Sequence, residues 1–66
     1  MTLQVNGKTI TLTDVTNISG LLAFYQLEKK ILVVERNGEI IDRSNYADTP
    51  IMDGDRIEIV HFVGGG

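Results

Sequence analysis

Arg56-Ile57-Glu58-Ile59-Val60-His61-Phe62-Val63, running into Gly64-Gly65-Gly66, is the stretch that orders the rest of the chain. Its residues alternate. If Ile57 and Ile59 face a core, then Arg56, Glu58, Val60 and Phe62 face the other way, as the two-residue period of a strand requires. The glycines that follow have no side chain to pack and lose the most backbone entropy on ordering. The expected organisation is therefore a folded domain over residues 1–63 and a flexible tail over 64–66. Read alone, such a tail is a frayed end or a linker scar; the remainder of the chain changes that reading.

Just upstream, Asp53-Gly54-Asp55 is a turn, with glycine where positive φ is needed. Further back, Ile31-Leu32-Val33-Val34-Glu35-Arg36 is β-branched and almost continuously apolar, the pattern of an interior strand. Asn37-Gly38 then gives a hairpin turn into the short strand Glu39-Ile40-Ile41-Asp42. Residues 43–50 are a polar crossover with one helical turn expected around Tyr46. At the other end Leu3 and Val5 alternate with polar residues, Asn6-Gly7 makes a second hairpin turn, and Ile10 and Leu12 continue the alternation. Between the hairpins Ile18, Leu21, Leu22 and Tyr25 form the apolar stripe of one amphipathic helix. Thr16 is the expected N-cap, and Lys29 and Lys30 suit the negative pole of the helix dipole. Gly20 inside the helix costs ~1 kcal/mol relative to alanine.

Strand, strand, helix, strand, short strand, strand is an α+β order. Packing the helix stripe across one face of a mixed sheet of about five strands, with the first and last strands as central neighbours, gives a β-grasp, or ubiquitin-like, architecture.

Composition narrows the chemistry. A chain of 66 residues buries only about 60% of the surface its unfolded form exposes. It has no cysteine, hence no disulfide and no thiolate metal site. Nine acids against six bases give a net charge of −3, which disfavours nucleic acid as a partner. No apolar run approaches the ~20 residues of a membrane span and no signal peptide is visible, so a cytoplasmic protein without membrane contact is expected. His61 is the only histidine. Asp48, Asp53 and Asp55 do not have calcium-loop spacing, and no helix follows the glycines to make a phosphate site. No catalytic residue and no metal ligand is expected, so the chain is not read as an enzyme.

Several pieces, in this order and length, resemble one family. They are Val5-Asn6-Gly7, Leu21-Leu22, Val34-Glu35-Arg36-Asn37-Gly38-Glu39-Ile40-Ile41, Arg43-Ser44 with Tyr46, and Asp53 to Val60 running through Phe62-Val63 into the glycines. Together they resemble the sulfur carriers of thiamine thiazole biosynthesis, within the ubiquitin-like β-grasp superfamily. Tyr46 stands where many relatives carry tryptophan, and Gly64 is one glycine more than the superfamily motif needs. The resemblance implies that a partner adenylating enzyme uses ATP to activate the Gly66 carboxylate. Sulfur from a cysteine desulfurase, or another persulfide donor, then makes a thiocarboxylate, and thiazole synthase receives the sulfur. Gly66 would be the attachment point, Gly64 and Gly65 its thread, and the chain itself would bind no cofactor. Val33, Val60 and Phe62 would form an apolar partner-binding patch beside the tail. The small sulfur-carrying subunit of molybdopterin synthase shares fold and tail and stays open as an alternative. A ubiquitin-like protein modifier and a non-catalytic interaction module stay open as well.

Overall fold

The structure, a computed structural model, describes residues 1–61. Its elements are β1 (Thr2–Val5), β2 (Lys8–Thr11), α1 (Ile18–Phe24), β3 (Leu32–Arg36), β4 (Glu39–Ile41), a single 3₁₀ turn (Arg43–Asn45) and β5 (Arg56–His61). The sheet order is β2-β1-β5-β3-β4. β5 therefore lies at the centre, parallel to β1 and antiparallel to β3, while the two hairpins are antiparallel. This is the mixed five-stranded sheet with one helix that the residue order predicts.

Both hairpins close as two-residue turns with positive φ at each central position: Asn6 at 50° and Gly7 at 82°, Asn37 at 52° and Gly38 at 86°. That geometry matches the right-handed twist of the flanking strands, and asparagine followed by glycine is the pair that reaches it most cheaply. The alternation then puts Leu3, Val5, Val34, Ile57 and Ile59 on one sheet face. There they pack with Ile18, Leu21 and Leu22 of α1 and with Leu12, Val15 and Ile51 from the connections. The opposite sheet face carries no helix among the described residues.

The helix differs from its expected form at both ends. Its N-cap is Asn17 rather than Thr16. Asn17 has extended backbone, and its Oδ1 accepts from the Gly20 N–H at 2.7 Å. Thr16 instead uses its carbonyl to accept from Ile51 N–H at 3.0 Å. Gly20 earns its place here: a Cβ at that position would come within 3.2 Å of the Asn17 Oδ1. At the far end Gln26 adopts φ 60°, Leu27 N–H reaches back to Leu22 O at 2.8 Å, and Gln26 N–H to Ala23 O at 3.0 Å. This paired closure is a Schellman motif and ends the helix at once. Lys29 and Lys30 lie beyond it, so no basic residue occupies the last turn. Ile31 falls outside β3 and is exposed.

Candidate functional site

β5 is the strand that leads toward the glycines, and the geometry around it concerns how it is held. β1 and β5 make successive backbone rungs, Gln4 N–H to Asp55 O and Asn6 N–H to Ile57 O, both 2.9 Å. At Asn6 the chain turns away into β2, so no further β1 backbone carbonyl is offered. The Asn6 side chain takes its place: Oδ1 accepts from the Ile59 N–H at 2.7 Å. The same device appears at the opposite end and edge of β5. Asn37, where β3 turns away, donates its backbone N–H to Arg56 O at 2.8 Å and accepts from Arg56 N–H with Oδ1 at 2.9 Å. Each hairpin asparagine thus shapes its own turn and completes a ladder with the central strand.

Asp55 anchors the start of β5. It is 6% exposed, and its carboxylate accepts four contacts. Oδ2 takes Arg36 Nε at 2.7 Å and Met52 N–H at 2.8 Å; Oδ1 takes Asn37 Nδ2 at 3.0 Å and Arg36 Nη2 at 3.4 Å. Burial pushes the carboxyl up, but the hydrogen bonds from Arg36, Met52 and Asn37, with the charge of Arg36, outweigh it and hold Asp55 below the usual carboxylate value. Asp53 closes the same corner by accepting from Thr2 N–H at 2.7 Å. These acids are structural fasteners. Among the described residues no group of three or more His, Cys, Asp or Glu is placed to hold a metal ion.

The open sheet face presents the expected patch in part. Val33 and Val60 are direct partners across β3 and β5. Val60 is 56% exposed and Val33 36%. Phe62, Gly64, Gly65 and Gly66 lie outside the described residues. On the helix side, exposed His61 borders a groove of about 280 Å³ whose other walls include Val5, Ile10, Tyr25 and Leu27. No described helix is long and apolar enough to cross a membrane.

Asn6, Asn37 and Asp55 are the residues whose roles a turn-by-turn reading misses. The two Asn-Gly pairs were visible as turns. Their second task depends on which strand lies beside them, which no local pattern reports.

This architecture can be set beside known proteins. The model of the ThiS family matches residues 3–66, nearly the whole chain and the glycines with it. The chain belongs to the ThiS family. Within it, the chain is 55% identical over 65 residues to the sulfur carrier protein ThiS of Bacillus subtilis, covering 97% of this chain and 98% of that protein. The crystal structure of a thiamine biosynthesis protein, ThiS, from Geobacter metallireducens superposes with a TM-score of 0.84 at 36% identity, each chain covered completely. The chain is also 38% identical along its entire length to part of a thiazole synthase from Paramagnetospirillum magneticum, spanning 20% of that protein. The β-grasp expectation is confirmed by this fold match and by the mixed five-stranded sheet.

Proposed function

We propose that this ThiS-family chain is a sulfur carrier for thiazole formation in thiamine biosynthesis. The observation that carries the reading is the 55% identity, end to end, with a sulfur carrier protein. The match to a segment of thiazole synthase supports that enzyme as the acceptor of the sulfur. It favours thiamine over the molybdopterin pathway.

Chemically, a carboxylate is a poor acyl donor because oxide would have to leave. In the proposed cycle the Gly66 carboxylate attacks the α-phosphorus of ATP on an adenylating enzyme, and pyrophosphate departs. The terminal sulfur of a cysteine persulfide, carried by a desulfurase or another donor, attacks the acyl carbon and expels AMP. A thiol then cleaves the resulting acyl disulfide, leaving a thiocarboxylate on Gly66. Glycine suits the position, since without a Cβ it leaves the acyl carbon open to its nucleophile. The chain contributes no catalytic group in this cycle; it is a macromolecular co-substrate. Ordering Gly64, Gly65 and Gly66 in a partner's channel costs roughly 3–6 kcal/mol, which docking of the folded domain offsets. Val33 and Val60, with Phe62, supply the apolar part of that docking surface.

Incubation with ATP, an adenylating enzyme and a sulfur source, followed by intact-mass measurement, tests the reading. The expected product is heavier by the replacement of one oxygen by sulfur, and deletion of Gly66 abolishes it. V60D should slow the modification while leaving the far-ultraviolet circular dichroism unchanged. Full thiamine-supporting function after removal of Gly65 and Gly66 would overturn the proposal.

A further inference from the structure

The open sheet face is graded along β5. Nearest the strand's start, Arg56, Gln4 and Thr9 lie in one cross-strand row; next come Glu58, Glu35 and Ile40; nearest the glycines come Val60 and Val33. The middle row is unusual. Glu35 and Glu58 are direct partners in an antiparallel pair, which sets their Cβ atoms roughly 5 Å apart on the same face. Like charges directly opposite one another destabilise a sheet. Neither glutamate makes a salt bridge among the described residues; the single pair there, Arg36–Asp55, is on the opposite face. Arg56, two positions along the strand from Glu58, is likewise in no ion pair.

A destabilising pair placed between an exposed apolar row and the body of the domain calls for a charged occupant. We infer that Glu35 and Glu58 form an acidic clamp for an arginine or lysine side chain of thiazole synthase, which is seated on Val33, Val60 and Ile40 at the same time. The inference rests on the sulfur-carrier reading and deepens it by assigning the chemistry of the acceptor's docking surface. Charge complementarity supplies the argument. The chain's net charge of −3 favours a basic approach surface, and the acid row fixes where that charge must arrive. Ile40, 68% exposed at the end of the acid row, extends the apolar contact onto β4. A second copy of this chain is a poor occupant, since two-fold pairing through this face brings four carboxylates together.

The test uses unmodified full-length chain and purified thiazole synthase of the same organism, titrated calorimetrically at about 50 and 300 mM salt. Wild type should lose roughly tenfold in affinity over that range. E35Q/E58Q should bind about tenfold more weakly at the lower salt, with the salt dependence largely gone. Its urea midpoint should be equal to or above that of wild type, because the repulsion has been relieved. An undiminished midpoint separates the clamp from a fold defect, which would lower it. Equal affinity and equal salt dependence in the two proteins would overturn the clamp, as would a concentration-dependent homodimer in sedimentation that E35Q/E58Q strengthens without altering binding to the enzyme. Thiocarboxylate formation on wild type is measured in parallel. If it succeeds while the glutamine variant binds normally, the clamp alone fails; if it fails, the carrier reading fails and the clamp with it.

Discussion

Replacing Asn6 separates two contributions that the sequence alone would merge. Asn6 holds φ at 50° and offers Oδ1 to the Ile59 N–H at 2.7 Å. Ile59 is 7% exposed, so losing this acceptor leaves a nearly buried donor unsatisfied. That costs about 1–3 kcal/mol. Asn6→Gly removes the acceptor and keeps the turn, so it should lose about that amount. Asn6→Ala also carries the left-handed penalty of about 1–2 kcal/mol, for a combined loss of roughly 2–5 kcal/mol. Asn6→Asp keeps both an acceptor oxygen and tolerance of positive φ, and should stay close to wild type. A domain this small is expected to hold only about 3–10 kcal/mol in total, so the alanine variant should be partly unfolded at ambient temperature. Urea denaturation reads these differences directly; with a slope near 1 kcal/mol/M, Asn6→Gly should shift the midpoint down by about 1–3 M. Amide exchange by NMR supplies a local check: in Asn6→Gly the Ile59 amide should lose protection, while the residue 6 amide, whose N–H still donates to Ile57 O, should keep its own. An Asn6→Gly midpoint indistinguishable from wild type, or an Ile59 amide as protected as before, would refute the ladder-completion argument.

Asp55 gives a pH prediction. Its folded pKa is lowered, so the stability it provides is fully present above the unfolded value near 3.9 and is lost as pH falls through the folded one. Asp55→Asn should cost about 2 kcal/mol at neutral pH and should flatten the decline of the urea midpoint between about pH 5 and pH 3. At Gly20, alanine should not deliver its usual gain of ~1 kcal/mol, because its Cβ would crowd the Asn17 Oδ1 at 3.2 Å. The gain should reappear in Asn17→Ala/Gly20→Ala measured against Asn17→Ala, a non-additivity that thermal melts of the three variants would reveal.

The sheet was legible because its signals are local. Leu3 and Val5, and again Ile57 and Ile59, alternate with polar residues, and the structure buries all four. The order of elements then left few ways to cover the helix stripe, and the central place of β5 followed. The helix ends were less legible for a physical reason. Thr16 and Asn17 are adjacent and both suit a cap; the choice fell to Asn17 because Thr16 is engaged with Ile51, a contact across 35 residues. Gln26 in a left-handed conformation was invisible because a glutamine there gives no propensity signal. At the candidate site, the exposure of Val33 and Val60 followed from strand parity, whereas the Glu35–Glu58 opposition required the register between β3 and β5, which alternation does not specify.

The two asparagines that fasten β5 also make the domain subject to chemical ageing. An asparagine followed by glycine is where a backbone nitrogen most easily attacks the side-chain amide, expelling ammonia through a cyclic imide, since glycine puts no side chain in the way. Asparagine is accordingly counted among the thermolabile residues. Asn6-Gly7 and Asn37-Gly38 are both such pairs; opening of the imide to aspartate would leave an acceptor oxygen in place, but opening to isoaspartate adds an atom to the backbone at the two turns that fasten the central strand. While the domain is folded, Asn6 and Asn37 are pinned through Oδ1 to Ile59 and Arg56, away from free rotation toward the attacking nitrogen. Unfolding frees them. Folding therefore protects the residues on which the fold depends, and every excursion to the unfolded state shortens the working life of the carrier.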